Sequence, residues 1–279
     1  MASYPPDHHL LRDLQTSSVW VNDDECIFSA PVTPEVCGAS GALALGPLFA
    51  VADLALVSTA IGFAEGDWCG TLDLAIRMGK PIVEGPLVVS CQVLRIGGTL
   101  ITTKAEILDG NGSNNGGTLA GTAIATSRRM PRNQEFNEDD SGEAAAPSMS
   151  RQIGVPVHWG LDTSGFVLAV NEQLGLNEVA PGALELVKTP YVTNSFGTIN
   201  GGTTGILMCA AAESAIGGEF TATDIEARYV GQAAEGPVRT MSEVVRVGTD
   251  HAVVDVTVVD MSRERRPIAT GGITLTVNS

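Results

Sequence analysis

Asp53 has no polar company. Its neighbours at three and four residues along the chain, Phe49, Ala50, Leu56 and Val57, are all apolar, so a helix there offers no polar stripe to carry it. Burying a lone carboxylate is costly unless it is paired or neutralised, and desolvation raises its pKa. A carboxyl group perturbed in this way is a candidate general base or nucleophile. The second chemical feature is Thr193–Gly202, TNSFGTINGG: a polar turn, two glycines, then an apolar run. A helix start leaves backbone N–H groups unpaired, with the positive end of the dipole beside them. Glycines let another molecule approach that backbone closely. Such a turn suits a developing oxyanion, with the Gly201 N–H as its first donor. It suits a phosphate less well, because no GK[ST] follows and no parallel βα pattern surrounds it.

Other reactive types are less promising. Cys209 as a nucleophile needs a base, and the only histidines outside an expected N-terminal tail carrying His8 and His9 are His158 and His251. Glu213, one helical turn after Cys209, is a candidate acid for a second site, whose turn would be Gly38–Gly46 and lacks Asn. The five cysteines form no CxxC pair and have no His at ligand spacing, so they read as reduced, mostly buried thiols, and no metal is expected.

What positions these residues is an internal repeat. EGPLVVSCQVLRIG (Glu84–Gly97) aligns with EGPVRTMSEVVRVG (Glu235–Gly248) at an offset of 151, which also pairs Asp73 with Asp224, Arg77 with Arg228 and Asp109 with Asp260. Upstream, Thr33–Pro47 aligns with Thr189–Thr203 at an offset of 156, pairing Gly41 with Gly197 and Gly46 with Gly202. The change of five falls in a loop around Ala64–Gly70, where indels belong. Each copy reads as a strand, a TP-containing turn, a helix and further strands. The helices are expected at Gly46–Gly62 and Gly201–Gly217. The strands are expected at Thr71–Arg77, Leu87–Ile96, Leu100–Leu108 and Thr118–Thr126, and at Ala222–Tyr229, Val238–Val247, His251–Asp260 and Ile268–Val277. The acidic, apolar-poor stretch 132–150 reads as a linker between units 1–131 and 151–279.

Composition bounds the partners. A net charge of −16 over 279 residues argues against nucleic acid and anionic membrane surfaces. The N-terminus lacks a basic region followed by an apolar run, and the reading is a cytoplasmic protein. Leu43–Ala64 contains Asp53, several Gly and Ala, and a Pro, and reads as a buried helix rather than a membrane span.

In order, N-x-x-G-T-[IL]-x-G-G opening an apolar helix, T-x-D-[LI] on a strand, and GP…V-x-R-x-G resemble the hotdog-fold acyl-CoA thioesterases, most closely the phenylacetic-acid-degradation type. The resemblance spans roughly Val32–Ser127 and Leu186–Val277. It implies an α+β fold: two tandem hotdog units, each a curved antiparallel sheet wrapped around a central helix, packed as a pseudo-dimer. It also implies an acyl-CoA substrate, no cofactor beyond that coenzyme A, and a site between units. One unit supplies the turn and helix start, the other a helix carboxylate. Carried over, the acid is Asp53, with Cys209 at its counterpart. The turn is Asn194, holding the carbonyl or the attacking water, with Asn200 at a position where the family usually has His, followed by Gly201 and Gly202. The first copy has Gly38 and Ala44 at the two Asn positions, so only Asp53 with the second turn makes a complete site. Thr71 would contact the acid. Arg128 and Arg129 are candidates for the CoA phosphates, since a local basic patch must offset the global charge. A non-catalytic acyl-CoA sensor and a hotdog dehydratase or hydratase are the alternatives, the latter disfavoured by the scarcity of His. The chains could pair again as homo-oligomers through their sheets.

Overall fold

The computed structural model describes residues 4–110, 117–130, 151–160, 164–218, 220–233 and 235–277. The stretch 132–150, read as a linker, lies outside the described residues. The first half runs α1 (Leu10–Asp13), β1 (Ser17–Trp20), β2 (Glu25–Ala30), α2 (Leu45–Gly62), β3 (Trp68–Met78), β4 (Leu87–Ile96), β5 (Leu100–Asp109) and β6 (Thr118–Met130). The second runs β7 (Val157–His158), α3 (Val170–Gln173), β8 (Asn177–Ala180), β9 (Ala183–Leu186), α4 (Gly201–Ile216), β10 (Phe220–Tyr229), β11 (Val238–Val247), β12 (His251–Asp260) and β13 (Arg266–Val277). Both long helices and all eight expected strands form within a few residues of the limits that periodicity sets.

Among the described residues the strands make one thirteen-stranded sheet in the order β7-β1-β2-β4-β5-β6-β3-β10-β13-β12-β11-β9-β8. α2 packs against β2 through β6, and α4 against β9 through β13. The halves meet at β3 and β10, which pair antiparallel with Asp73 opposite Arg228 and Arg77 opposite Asp224. Residues matched by the 151 offset thus face each other reciprocally, as at an isologous dimer interface. Asp224 also accepts from the Met78 N–H at 3.0 Å, across the join. The strands bulge at matching places in the two halves, between Thr71 and Asp73 and between Ala222 and Asp224, then between Val93 and Arg95 and between Val244 and Arg246.

A helix covered by a sheet on one side and a second helix on the other has little left to expose. That explains the near-uniform apolarity of α2. It is the one described helix long and apolar enough to cross a membrane, yet 83% of that window is buried inside the fold. The helices touch through glycines. A Cβ on Gly202 would lie 2.8 Å from the Ala50 Cα, one on Gly46 would lie 3.1 Å from the Ile206 Cα, and one on Gly205 would overlap the Phe49 ring. Gly205→Ala is therefore an overpacking change. It is expected to destabilise by about 2 kcal/mol, read as a lower urea midpoint at unchanged slope.

Two segments pack away from the units to which the sequence assigns them. β7 pairs with β1, and Arg151 stacks over the rings of Trp20 and Phe63, so 151–160 belongs physically with the first half. Conversely, the N-terminal segment reaches the second half. The expected tail is not one: His9 is fully buried. Its Nδ1 accepts from the Leu11 N–H at 3.1 Å, so Nε2 carries the proton and donates to the Thr193 carbonyl at 2.9 Å. The His8 ring lies against Tyr191. Tyr191 and Gln173 both donate to Asp13, at 2.8 and 2.7 Å. Capping α1 and satisfying Thr193 is work that neutral imidazole does well, and this is what buries His9.

Candidate active site

Asp53 lies mid-way along α2 and is 7% exposed. Thr71, near the start of β3, donates its hydroxyl to Asp53 Oδ1 at 2.7 Å. The other carboxylate oxygen faces the opposite half: a Cβ on Gly201 would lie 2.8 Å from Oδ2. The acid thus sits against the first residue of α4, on the positive end of that helix. Burial pushes its pKa up to about 6, against the Thr71 hydroxyl and the Gly202 amide, which both favour the charged form.

The start of α4 is built by Asn200. Its Oδ1 accepts from the N–H groups of Gly202 at 2.8 Å and Thr203 at 3.4 Å, an N-cap arrangement. The equivalent Ala44 of α2 makes no such cap. Capping consumes two of the free amides and leaves the Gly201 N–H without a partner among the described residues. A small anionic oxygen reaching this corner would meet that N–H, with Asp53 beside it.

Three expectations need correction. Asn194 does not reach for a substrate carbonyl. Its Oδ1 accepts from the N–H groups of Phe196 and Thr198, each at 3.0 Å, and its Nδ2 donates to the Thr198 hydroxyl at 2.8 Å. The short side chain closes on its own turn. That turn is docked on the first half by the Phe196 ring, edge-on to Trp68 at 5.9 Å. Arg129 is not available to phosphates. It donates to Ala64 O at 2.9 Å and pairs with Glu65 and Asp67, each at 3.3 Å, holding the loop between α2 and β3. The N-terminal segment, read as a tail, also belongs to the site's support. His9 fixes Thr193, and Tyr4 hydrogen-bonds the Asn200 side chain. Arg128, by contrast, is exposed on β6 with no partner among the described residues.

The second site is apolar. Cys209 is 3% exposed and its thiol is pushed well up by burial, as befits an inert core cysteine. Glu213 is taken: it accepts from the Ala222 N–H at 3.0 Å, at the bulge of β10.

Two residues escaped the sequence reading. Ser127 stands directly opposite Thr71 on β6, fully buried, and its hydroxyl has no hydrogen-bond partner among the described residues. Tyr229, the last residue of β10, donates its hydroxyl to the Gly201 carbonyl at 2.7 Å. Only the repeat held a signal for Tyr229, since Met78 occupies the matching place. Among the described residues no group of His, Cys, Asp and Glu could hold a metal ion. Two cavities of about 200 and 240 Å³ lie elsewhere, one beside Pro47 and Val51, the other beside Gly182 and Met261. Neither is lined by Asp53, so chemistry rather than volume picks out this corner.

The family of the acyl-CoA thioesterase N-terminal domain matches residues 189–276. That segment is similar to a thioesterase domain. It contains the turn, α4 and β10 through most of β13. Solved structures resemble the whole chain. A tesB protein of Mycobacterium avium subspecies paratuberculosis does so at 14% identity and a TM-score of 0.59, over 93% of this chain and 95% of that one. The 12:0-ACP thioesterase from Umbellularia californica does so at 9% and 0.58, over 91% and 94%. An acyl-ACP thioesterase from Bacteroides thetaiotaomicron does so at 11% and 0.51, over 90% and 97%. No curated protein sequence matches. The likeness along the full length makes the chain a tandem hotdog. In this tandem hotdog Asp53 comes from the half that the family does not match, and the capped helix start from the half that it does. The phenylacetic-acid-degradation type stays a resemblance of motifs.

Proposed function

We propose that this tandem hotdog hydrolyses an acyl-CoA, or a related acyl thioester, at one composite site between its halves. The observation that carries the reading is the buried carboxyl of Asp53 packed against Gly201 of the opposite half, the first residue of α4, whose N–H the cap leaves free. In the reading, the thioester carbonyl oxygen accepts from Gly201. Asp53 takes a proton from water as the water oxygen attacks the carbonyl carbon. In the same reading the Ser127 hydroxyl, buried opposite Thr71 and unpartnered among the described residues, is assigned to that water. The C–S bond then breaks, and the thiolate leaves with the proton as free thiol. Direct attack by Asp53, giving a mixed anhydride that water then opens, balances equally and uses the same groups.

A hydratase needs a histidine beside the acid. His9, the buried histidine nearest the turn, has both ring nitrogens engaged, which favours hydrolysis. The test is release of free thiol from short, aromatic and long acyl-CoAs. Stoichiometric binding with no release across the panel would make the protein a sensor instead.

Two expectations follow from the geometry. The base works only when ionised, so kcat/KM is expected to rise with pH through a midpoint of about 6, to which burial pushes the Asp53 carboxyl in the free protein. A kcat/KM profile flat from pH 5 to 8 would contradict it. Arg128→Ala is expected to raise KM for acyl-CoA about threefold at low salt, with kcat unchanged, since an exposed cation on a phosphate is screened. KM values for a pantetheine thioester, which lacks the nucleotide phosphates, should not respond.

A further inference from the structure

The molecule contains its own control. Five positions of the Asp53 corner have counterparts at the same offsets around Cys209, and all five change character. Asp53 is matched by Cys209, Thr71 by Ala222, Asn200 by Ala44, Gly201 by Leu45 and Tyr229 by Met78. Each half contributes to both corners: the acid and Thr71 come from the first half with the capped turn and Tyr229 from the second, and the converse holds around Cys209. Four of these differences are explained by the reaction just described. Tyr229 is not. A hydroxyl in a largely apolar seam costs desolvation unless it gains a hydrogen bond, and the matching seam is satisfied with a thioether.

We infer that Tyr229 is a positioning residue for the proposed hydrolysis, acting on Asp53 through the Gly201–Gly202 peptide. Its hydroxyl donates to the Gly201 carbonyl at 2.7 Å, and its ring covers Gly201, whose Cβ, if present, would lie 3.3 Å from the hydroxyl and 3.4 Å from Cζ. The Gly201 carbonyl and the Gly202 N–H belong to one peptide unit. A donor on the oxygen polarises that unit and makes its N–H a better donor. That N–H caps onto Asn200 and also favours the ionised form of Asp53. The same contact holds the plane of the peptide and so aims the α4 start. Among the described residues the influences that set the Asp53 proton affinity are burial, the Thr71 hydroxyl and the Gly202 amide, with no charged side chain. Tyr229 is the titratable group packed nearest from β10, with Cys209 of α4 beyond it, and both are neutral at ordinary pH because burial raises them. The polarised peptide therefore acts with little competition.

The inference rests on the thioesterase reading for its kinetic arm only. Tyr229→Phe keeps the ring and removes the donor. The Asp53 carboxyl is titrated directly, by carbon NMR of protein labelled at aspartate, with Asp53→Asn assigning the resonance. The expected result is a midpoint raised by about half a pH unit in Tyr229→Phe. With it, kcat falls about tenfold and KM stays within twofold. An unmoved Asp53 midpoint overturns the inference, whether or not activity changes, because a purely structural tyrosine would leave that titration alone. Absence of thiol release from the wild type would instead remove the thioesterase reading, and the titration would still decide the role of Tyr229. Tyr229→Met, which copies the residue at the matching place, is the second variant should Phe fold poorly, with the same midpoint shift expected.

Discussion

Asp53→Asn is expected to lower kcat for thiol release by about 10³-fold, the range for loss of a general base, while the protein becomes more stable above pH 6. The two effects share one cause. The carboxyl is buried, and its folded-state pKa of about 6 lies above the value of 3.8 that it has when unperturbed. The sign follows from linkage. A carboxyl that binds its proton more tightly in the folded state favours folding at low pH and loses that advantage as pH rises between the two values. Above pH 6 the folded protein holds an ionised group in a place that disfavours it, at a cost of about 3 kcal/mol. Asparagine keeps an oxygen to accept from Thr71 and carries no charge, so the cost disappears. Urea titrations at pH 5 and pH 8 check this. The mutant's advantage should grow from the first to the second, and an advantage independent of pH would mean that the carboxyl is not the origin. A protein that gives up stability to keep one ionised group dry shows the usual trade between stability and activity.

Much of this corner could be read without coordinates, because the repeat turned one sequence into two to compare. Asp53 is conspicuous against Phe49, Ala50, Leu56 and Val57, and its pairing with the second turn follows from which copy lacks which residue. The strands were legible because period-two alternation survives in HAVVDVTVV and its partner, and the helices because Gly ends them. Asn194 was misjudged because its type fits two roles equally well. An amide that can reach out can also fold back, and the backbone N–H groups of Phe196 and Thr198 are nearer than any substrate. Arg129 was misjudged for a related reason. A basic cluster reads as one feature in sequence, but alternate residues of a strand point to opposite sides, and the acidic loop at Glu65 and Asp67 takes one of the pair.

The N-terminal segment was illegible for a different reason. Residues 4–14 are too short for periodicity, and α1 and α3 are single turns. Their partners are far away in the chain: His9 meets Thr193, and Asp13 meets Tyr191 and Gln173. Such contacts come from the exchange of segments between halves, which no local pattern encodes. The same holds for Tyr229 and Ser127, whose roles depend on what lies across a strand or a helix crossing rather than beside them in sequence.

Gly201→Ala is expected to be the second most damaging change, lowering kcat about 10²-fold with a loss of stability no larger than about 1 kcal/mol. The reason is spatial and not conformational. Gly201 is not among the glycines with positive φ, so alanine adopts its backbone without strain. Alanine also has the higher helix propensity, which offsets part of any cost. The new methyl would, however, lie 2.8 Å from Asp53 Oδ2 and 3.3 Å from the Tyr229 hydroxyl. Something must move, and the carboxylate is the freer of the two, since Tyr229 is anchored to the carbonyl of the same residue. The methyl therefore stands where the reacting carbonyl would have to sit and turns the acid away from it. Two measurements separate this from general disruption. The thermal midpoint should shift by only a few degrees, and the Asp53 titration should persist at an altered midpoint. At the matching place in the other half the chain already carries Leu45, buried at 3% exposure beside an α2 start that has no cap. The reverse change, Leu45→Gly, should open space there without creating activity, because neither acid, cap nor Thr71 equivalent faces it. Thiol release that survived Gly201→Ala at wild-type rate would show that no acyl group approaches the start of α4, and the composite corner would lose its place as the site of hydrolysis.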